Sequence, residues 1–256
     1  MKSVELFRLD GRTAFVSGAA GHLGSAMARA LAGAGAHVIL NGRDDEKLAR
    51  FEAQLRAENL DVSRAAFDIT DTQAVRGFFA GLTRLDILVN NAVSMTVKPF
   101  AKLEPQDFAA TYASAVTAAF ESVRAALPAL KKGQDANVIN IASMYGAVSP
   151  DARLYADAEG QSPFHYGPAK AGLLQLTRHL AAELGPFHIR VNAISPGPFP
   201  AKLDDAEFAA RLAARTMLGR IGKADEIAGP LLFLASPAAS FVTGANLNVD
   251  GGWTAW

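Results

Sequence analysis

Tyr166 and Lys170 stand four residues apart in the run Tyr166-Gly167-Pro168-Ala169-Lys170, and on a helix such positions share one face. A phenol with its ordinary pKa of about 10 is a poor base near neutrality. An ammonium within about 4–6 Å favours the phenolate, which can then exchange a proton with a secondary alcohol. Ser143, upstream, offers a hydroxyl to the same substrate oxygen. Singly, each residue has a plainer reading: a half-buried aromatic with a wet hydroxyl, a solvated helix charge, a turn serine. Their order, with Ser143 directly after a strand-like run, favours the catalytic reading.

Interconverting an alcohol and a ketone also moves a hydride, and the N-terminal sequence supplies a place for its carrier. Thr13-Ala14-Phe15-Val16-Ser17 reads as a buried strand that runs into Gly18-Ala19-Ala20-Gly21-His22-Leu23-Gly24 and then a helix. Glycines let the backbone approach a pyrophosphate, and a helix N-terminus supplies free N–H groups. Gly18, Gly21, His22, Leu23 and Gly24 are therefore candidate dinucleotide contacts; a tight turn holding no ligand is the plainer alternative. The second strand closes in Asn41-Gly42-Arg43, with no acidic residue before Asp44. An acid there would bind the ribose 2′-hydroxyl of NAD, whereas an arginine accommodates the 2′-phosphate of NADP. Arg43 points to NADP(H), with NAD(H) as the second choice, unless it is simply a solvated residue opening a charged helix. The third strand closes with Asp68-Ile69 and the fourth with Asn90-Asn91-Ala92.

Short β-rich runs at 13–17, 37–40, 64–67, 86–90, 137–142, 189–194 and 246–249 alternate with helical stretches at 21–34, 44–58, 72–81, 105–127 and 166–184. This alternation predicts one doubly wound α/β domain over residues 1–256, a parallel Rossmann-type sheet with helices on both faces. Such sheets bind ligands beyond the carboxyl ends of their strands. Half of the 256 residues are hydrophobic, enough for a large core. The absence of cysteine removes disulfides, thiolate nucleophiles and Cys-ligated metals. Twenty-five Lys and Arg balance 25 Asp and Glu, so charge gives no case for nucleic acid or an anionic membrane. With no secretory h-region or eighteen-residue apolar window, the expectation is a soluble cytoplasmic protein.

The order Ser143, Tyr166, Lys170, together with Asn90-Asn91-Ala92, Arg190-Val191-Asn192, Ser195-Pro196-Gly197 and Thr243-Gly244, resembles the short-chain dehydrogenase/reductase family. The similarity runs from Leu9-Asp10-Gly11-Arg12 to Val249-Asp250-Gly251-Gly252, and the pattern is similar to the family's gluconate 5-dehydrogenase-like sugar reductases. The resemblance implies a nicotinamide dinucleotide, a small alcohol or carbonyl substrate, and a homo-oligomer, tetramer or dimer. It implies that Asp68 and Ile69 sit by the adenine, that Asn90 and Ala92 flank the adenosine ribose, and that Pro196 and Gly197 border the nicotinamide. Lys170, beside Tyr166, would also hold the nicotinamide ribose.

Four departures stand out. Ser17 replaces the family's threonine, His22 takes the middle glycine position, and Val93 replaces a glycine. The family's helix-four asparagine, tied to a proton relay, aligns with Ala115, leaving Ser114 or Thr117 as substitutes. Separately, an insertion near 149–163 lengthens the path from Ser143 to Tyr166. Its Asp, Arg, Tyr and Gln side chains predict a lid suited to a polyol or sugar acid, with an oligomer contact or solvated loop as the plainer reading. His22, His37, His165, His179 and His188 show no ligand spacing, so no metal is expected. His165 could touch substrate, but reads better as a helix-start residue. Without a G-x-S-x-G elbow, Ser143 does not read as an acyl-serine nucleophile. Two competing functions remain: reduction of a 3-oxoacyl thioester with the same residues, and a non-catalytic dinucleotide-binding or assembly protein, motivated by Ala115 and His22.

Overall fold

A computed structural model describes residues 3–155, 161–201 and 205–256. Seven strands, β1 (Thr13–Val16), β2 (His37–Gly42), β3 (Val62–Ala66), β4 (Ile87–Asn90), β5 (Asn137–Ile141), β6 (Arg190–Pro196) and β7 (Asn246–Val249), form one parallel sheet ordered β3-β2-β1-β4-β5-β6-β7. The helices are α1 (His22–Gly33), α2 (Asp45–Ala57), α3 (Thr72–Ala80), α4 (Pro105–Tyr112), α5 (Ala118–Leu130), α6 (Tyr166–Leu184), α7 (Ala206–Ala214) and α8 (Ala228–Ala235).

Alternation along the strands divides the core into two layers. Ala14 and Val16 of β1, Val38 and Leu40 of β2, and Ile87 and Val89 of β4 face Met27 and Leu31 of α1, Leu48 and Leu55 of α2, and Leu231 and Leu234 of α8. The residues between them, Phe15, Ile39 and Leu88, face Val75 and Phe79 of α3, Val123 and Leu130 of α5, and Leu180 and Leu184 of α6. Side chains of period two must alternate in this way, and a sheet covered on both faces reads as continuous apolar runs. Between β1 and β4 the strand order reverses, and a crevice opens there at the carboxyl ends.

The structure differs from the sequence expectation in three places. The helix expected over 105–127 extends through α4 and α5 to Leu130, with a π turn at Ala113–Thr117 in its middle. Helices α7 and α8 were not expected. Asp205 caps α7 by accepting the N–H groups of Glu207 and Phe208, both at 2.9 Å. In α8, Ala-Gly-Pro-Leu-Leu-Phe-Leu-Ala carries no polar face, and burial of Leu231 and Leu234 overrides its poor propensity. Strand β6 continues to Pro196 because β7 pairs with it up to Val249. Among the described residues, no helix is long and apolar enough to cross a membrane.

Candidate active site

At the end of β1 the chain turns through Gly18, whose φ of +65° suits a residue without a side chain. A Cβ on Gly24, in the first turn of α1, would land on the Gly18 carbonyl, so the helix closes onto the turn only because Gly24 has none. Ser17 keeps the function of the family's threonine. Its hydroxyl accepts the N–H groups of Asn91 (2.9 Å) and Ala92 (3.0 Å) and so ties the end of β4 to the turn. His22 begins α1 and lies exposed at its N-terminus.

This turn is one end of a cleft of about 780 Å³ that follows the carboxyl edge of the sheet. Of the fourteen candidate dinucleotide contacts, all except Asn90 line it, and so does Ser143. At the near end, Arg43 is exposed and lies 3.7 Å from Asp68. Asp44 is committed elsewhere: its carboxylate caps α2, accepting from Lys47 N at 2.9 Å. Asn90 requires a correction. Its side chain is buried and donates to Asn140 at 2.9 Å, and Asn140 donates to Thr177 at 2.9 Å, forming a polar ladder that fixes β4, β5 and α6. The cleft is lined instead by its neighbour Asn91, whose amide donates to the Ser17 carbonyl at 2.9 Å.

At the far end, Ser143 follows β5, accepts Tyr145 N at 3.1 Å and hydrogen-bonds Tyr166. Tyr166 opens α6, and one turn on, Lys170 is almost fully buried. The Lys170 ammonium donates to the Ile141 carbonyl at 2.6 Å and lies 5.5 Å from the centre of the Tyr166 ring. Burial lowers the Lys170 pKa to about 8. Burial also raises the Tyr166 phenol above its ordinary value, against a smaller opposing effect of Ser143. Burial thus outweighs the Ser143 hydrogen bond at the phenol, while the ammonium donates to Ile141. Near neutrality the site holds a neutral phenol beside an ammonium.

The departures from the family pattern now have positions. Ala115 is buried in an apolar cluster with Val116, Ala119, Ala169 and Leu173. Ser114, one residue earlier in the π turn, lines the cleft, whereas Thr117 is exposed. Ser114 accepts Ser94 N at 3.0 Å and hydrogen-bonds the carbonyls of Ser94 and Thr111, holding the loop after β4. His165 is also structural: its Nε2–H donates to the Thr96 carbonyl at 3.0 Å, and it does not line the cleft.

The described residues of the 149–163 insertion are held by contacts within the protein. Residues 156–160 lie outside the described residues, and none of 149–155 or 161–163 lines the cleft. Asp151 is paired with Arg153 at 2.7 Å, which lowers its carboxyl to about 2. Tyr155 hydrogen-bonds Tyr145 at 3.1 Å. Leu154 packs with Met144, Leu212 and Trp253, and its carbonyl accepts from Arg211 at 2.7 Å, so the segment is docked on α7. Sequence reasoning missed Phe199, which lines the cleft two residues after the Pro196-Gly197 signal.

A glycine turn at the switch point of a parallel sheet, opening into a long cleft, defines a class: α/β proteins built to bind a dinucleotide. Comparison with known proteins narrows it. A family model described as enoyl-(acyl carrier protein) reductase matches residues 18–254. Gluconate 5-dehydrogenase of Gluconobacter oxydans is 33% identical over 263 residues, covering 99% of each chain. Cyclopentanol dehydrogenase of Comamonas is 32% identical, covering 97% of this chain and 99% of the relative. The crystal structure of a gluconate 5-dehydrogenase from Burkholderia cenocepacia, in complex with NADP and tartrate, matches with a TM-score of 0.87 at 33% identity, covering 99% of each chain. The chain belongs to the short-chain dehydrogenase/reductase family. It is an NAD(P)-dependent oxidoreductase that acts on CH–OH groups and interconverts a secondary alcohol and a ketone.

Proposed function

We propose that this protein prefers NADP(H), with Tyr166 as general acid/base, Lys170 as its electrostatic partner and Ser143 as the hydrogen-bond donor to the substrate oxygen. The observation that carries the reading is convergence: Ser143, Tyr166 and Lys170 line one end of a cleft whose other end carries Arg43 and the glycine turn. The residues present fit the dinucleotide. The close packing at Gly18 and Gly24 brings backbone N–H groups of α1 to the cleft, and Arg43 is free of the cap that occupies Asp44.

Bound there, a nicotinamide supplies the hydride for reduction or accepts it in oxidation. In reduction, the Tyr166 hydroxyl gives its proton to the carbonyl oxygen while Ser143 hydrogen-bonds that oxygen. The Lys170 ammonium stabilises the phenolate left behind. A phenol raised by burial is protonated at neutral pH and thus ready to act as the acid in ketone reduction. Asp68 and Ile69 would contact the adenine, and Pro196 and Gly197 the nicotinamide.

The relatives named for gluconate and for cyclopentanol act on alcohols of opposite polarity, so the substituents must be read from this chain's own walls. A cytoplasmic homo-oligomer completes the proposal. It is supported by exposed Phe108, Tyr112 and Phe120 along the α4–α5 rod. The test is titration with NADPH and NADH over a panel of ketones, alditols, sugar acids and acyl thioesters, followed at the nicotinamide absorbance. Ketone-dependent NADPH oxidation is expected; tighter binding of NADH that is unaffected by Arg43→Ala would overturn the cofactor preference.

A further inference from the structure

Two cavities meet at one side chain. Phe199 lines the cleft described above, and it also lines a second compartment of about 360 Å³, bounded by the loop after β6, the segment from Thr216 to Gly222 with Glu226, and residues 248–252. The ring lies over Gly222, where an added Cβ would come within 2.5 Å of it. Gly222 N donates to the Pro198 carbonyl at 3.0 Å, so Phe199 rests against a fixed backbone.

The polar groups in this compartment are satisfied from within the protein. Asp250 accepts Gly252 N at 2.9 Å, Thr254 N at 3.0 Å and the Thr254 hydroxyl at 2.6 Å. The Thr216 hydroxyl hydrogen-bonds the Ala213 and Arg220 carbonyls, each at 2.9 Å, and Arg220 pairs with Glu226 at 2.7 Å. Asn248 accepts from Asn246 at 2.8 Å and donates to Thr254 at 3.0 Å. Beside these satisfied groups, the lining is apolar: Pro198, Phe199, Met217, Leu218 and Val249. Met217 and Leu218 are half exposed or more, at 50% and 65%. The cleft that Phe199 also lines has apolar walls in Met95, Ala113 and Ala201. The charged side chains among the described lining residues are Arg43 and Asp68 at the far end and Lys170, which is directed at Ile141.

We infer that the compartment beyond Phe199 is a substrate subsite that takes an apolar alkyl or alicyclic substituent of the carbonyl compound, with Phe199 as the partition the substituent displaces. The inference rests on the alcohol–ketone reading above and extends it to the substrate's class. Methionine adapts to such groups, and each methylene removed from water strengthens binding by about four-fold.

The experiment compares 2-alkanones from 2-butanone to 2-octanone as substrates with NADPH, and titrates the matching 2-alkanols by calorimetry in the presence of NADP+. The wild-type protein should show kcat/KM and affinity rising with chain length. Leu218→Asp, which sets a charge in the compartment, should lower the 2-octanone to 2-butanone ratio of kcat/KM by about ten-fold or more. Phe199→Ala should raise that ratio. Chain-length independence in the wild type, or a ratio unmoved by Leu218→Asp, would overturn the subsite. If no ketone is reduced, the alcohol–ketone reading fails, and the 2-alkanol titrations still decide the subsite by the same criteria.

Discussion

The two ends of the cleft are built by opposite means. The glycine-turn end, where the proposal places the phosphates, comes from one short stretch of chain, Ser17 to Gly24, and is shaped by backbone: a left-handed Gly18, a helix start, and a close approach allowed by Gly24. The substrate end is assembled from four distant segments, the loop after β4, the π turn, Ser143 to Lys170, and the loop after β6. There the working groups are side chains whose burial sets their chemistry. Lys170 is the clearest case, an ammonium held in the interior by one carbonyl. The glycine-turn end therefore spends backbone conformation on function, and the substrate end spends stability.

The largest expected effect falls at the substrate end. Tyr166→Phe keeps the ring and its packing but removes the proton, and should reduce turnover by about a thousand-fold, the range for a general acid/base. Steady-state kinetics checks this, with circular dichroism to show that the fold is intact. At the other end, Arg43→Ala should weaken NADPH binding by about ten- to a hundred-fold, through loss of a charged hydrogen bond, and leave NADH binding little changed. Fluorescence titration of both dinucleotides reads the difference.

Smaller effects fall on stability and carry opposite signs. Gly24→Ala forces a methyl group against the Gly18 carbonyl. The cost of such overpacking is about 1–3 kcal/mol, and calorimetry should show Tm falling by several degrees. Lys170→Met should abolish activity yet raise Tm at neutral pH. Lowering the ammonium from 10.5 to about 8 corresponds to a folding cost of ~3 kcal/mol. The lost hydrogen bond to Ile141 reduces the net gain to a few degrees. The folded protein holds this proton less tightly than the unfolded chain does. The cost is therefore full below about pH 8 and disappears as pH rises toward 10.5, and the Tm advantage of Lys170→Met should shrink over that window.

The same contrast explains what could be read from the letters. Glycine spacing after a strand and the residue type closing β2 express backbone geometry locally, so Gly18, Gly24 and Arg43 were legible. Asn90 was not: adjacent asparagines at a strand end point to opposite sides, and the sequence alone does not say which one faces the cleft. The phenol–ammonium spacing was visible, but the rise of the phenol's pKa follows from how deeply the fold buries Tyr166, which spacing does not express. The insertion looked polar residue by residue, yet Asp151 and Arg153 neutralise each other while Leu154 is buried. Helix α8 escaped because its all-apolar sequence lacks the amphipathic period, and Phe199 because its role arises only where two loops meet.

The central claim is that a buried ammonium, charged until about pH 8, sustains proton transfer from a neutral phenol. The most direct test is the rate of ketone reduction by NADPH from about pH 6 to about pH 10, read as kcat/KM. A plateau that falls as pH passes about 8 is expected, when Lys170 loses its proton while Tyr166 keeps its own. A rate that continues to climb from about 8 to about 10 would contradict it.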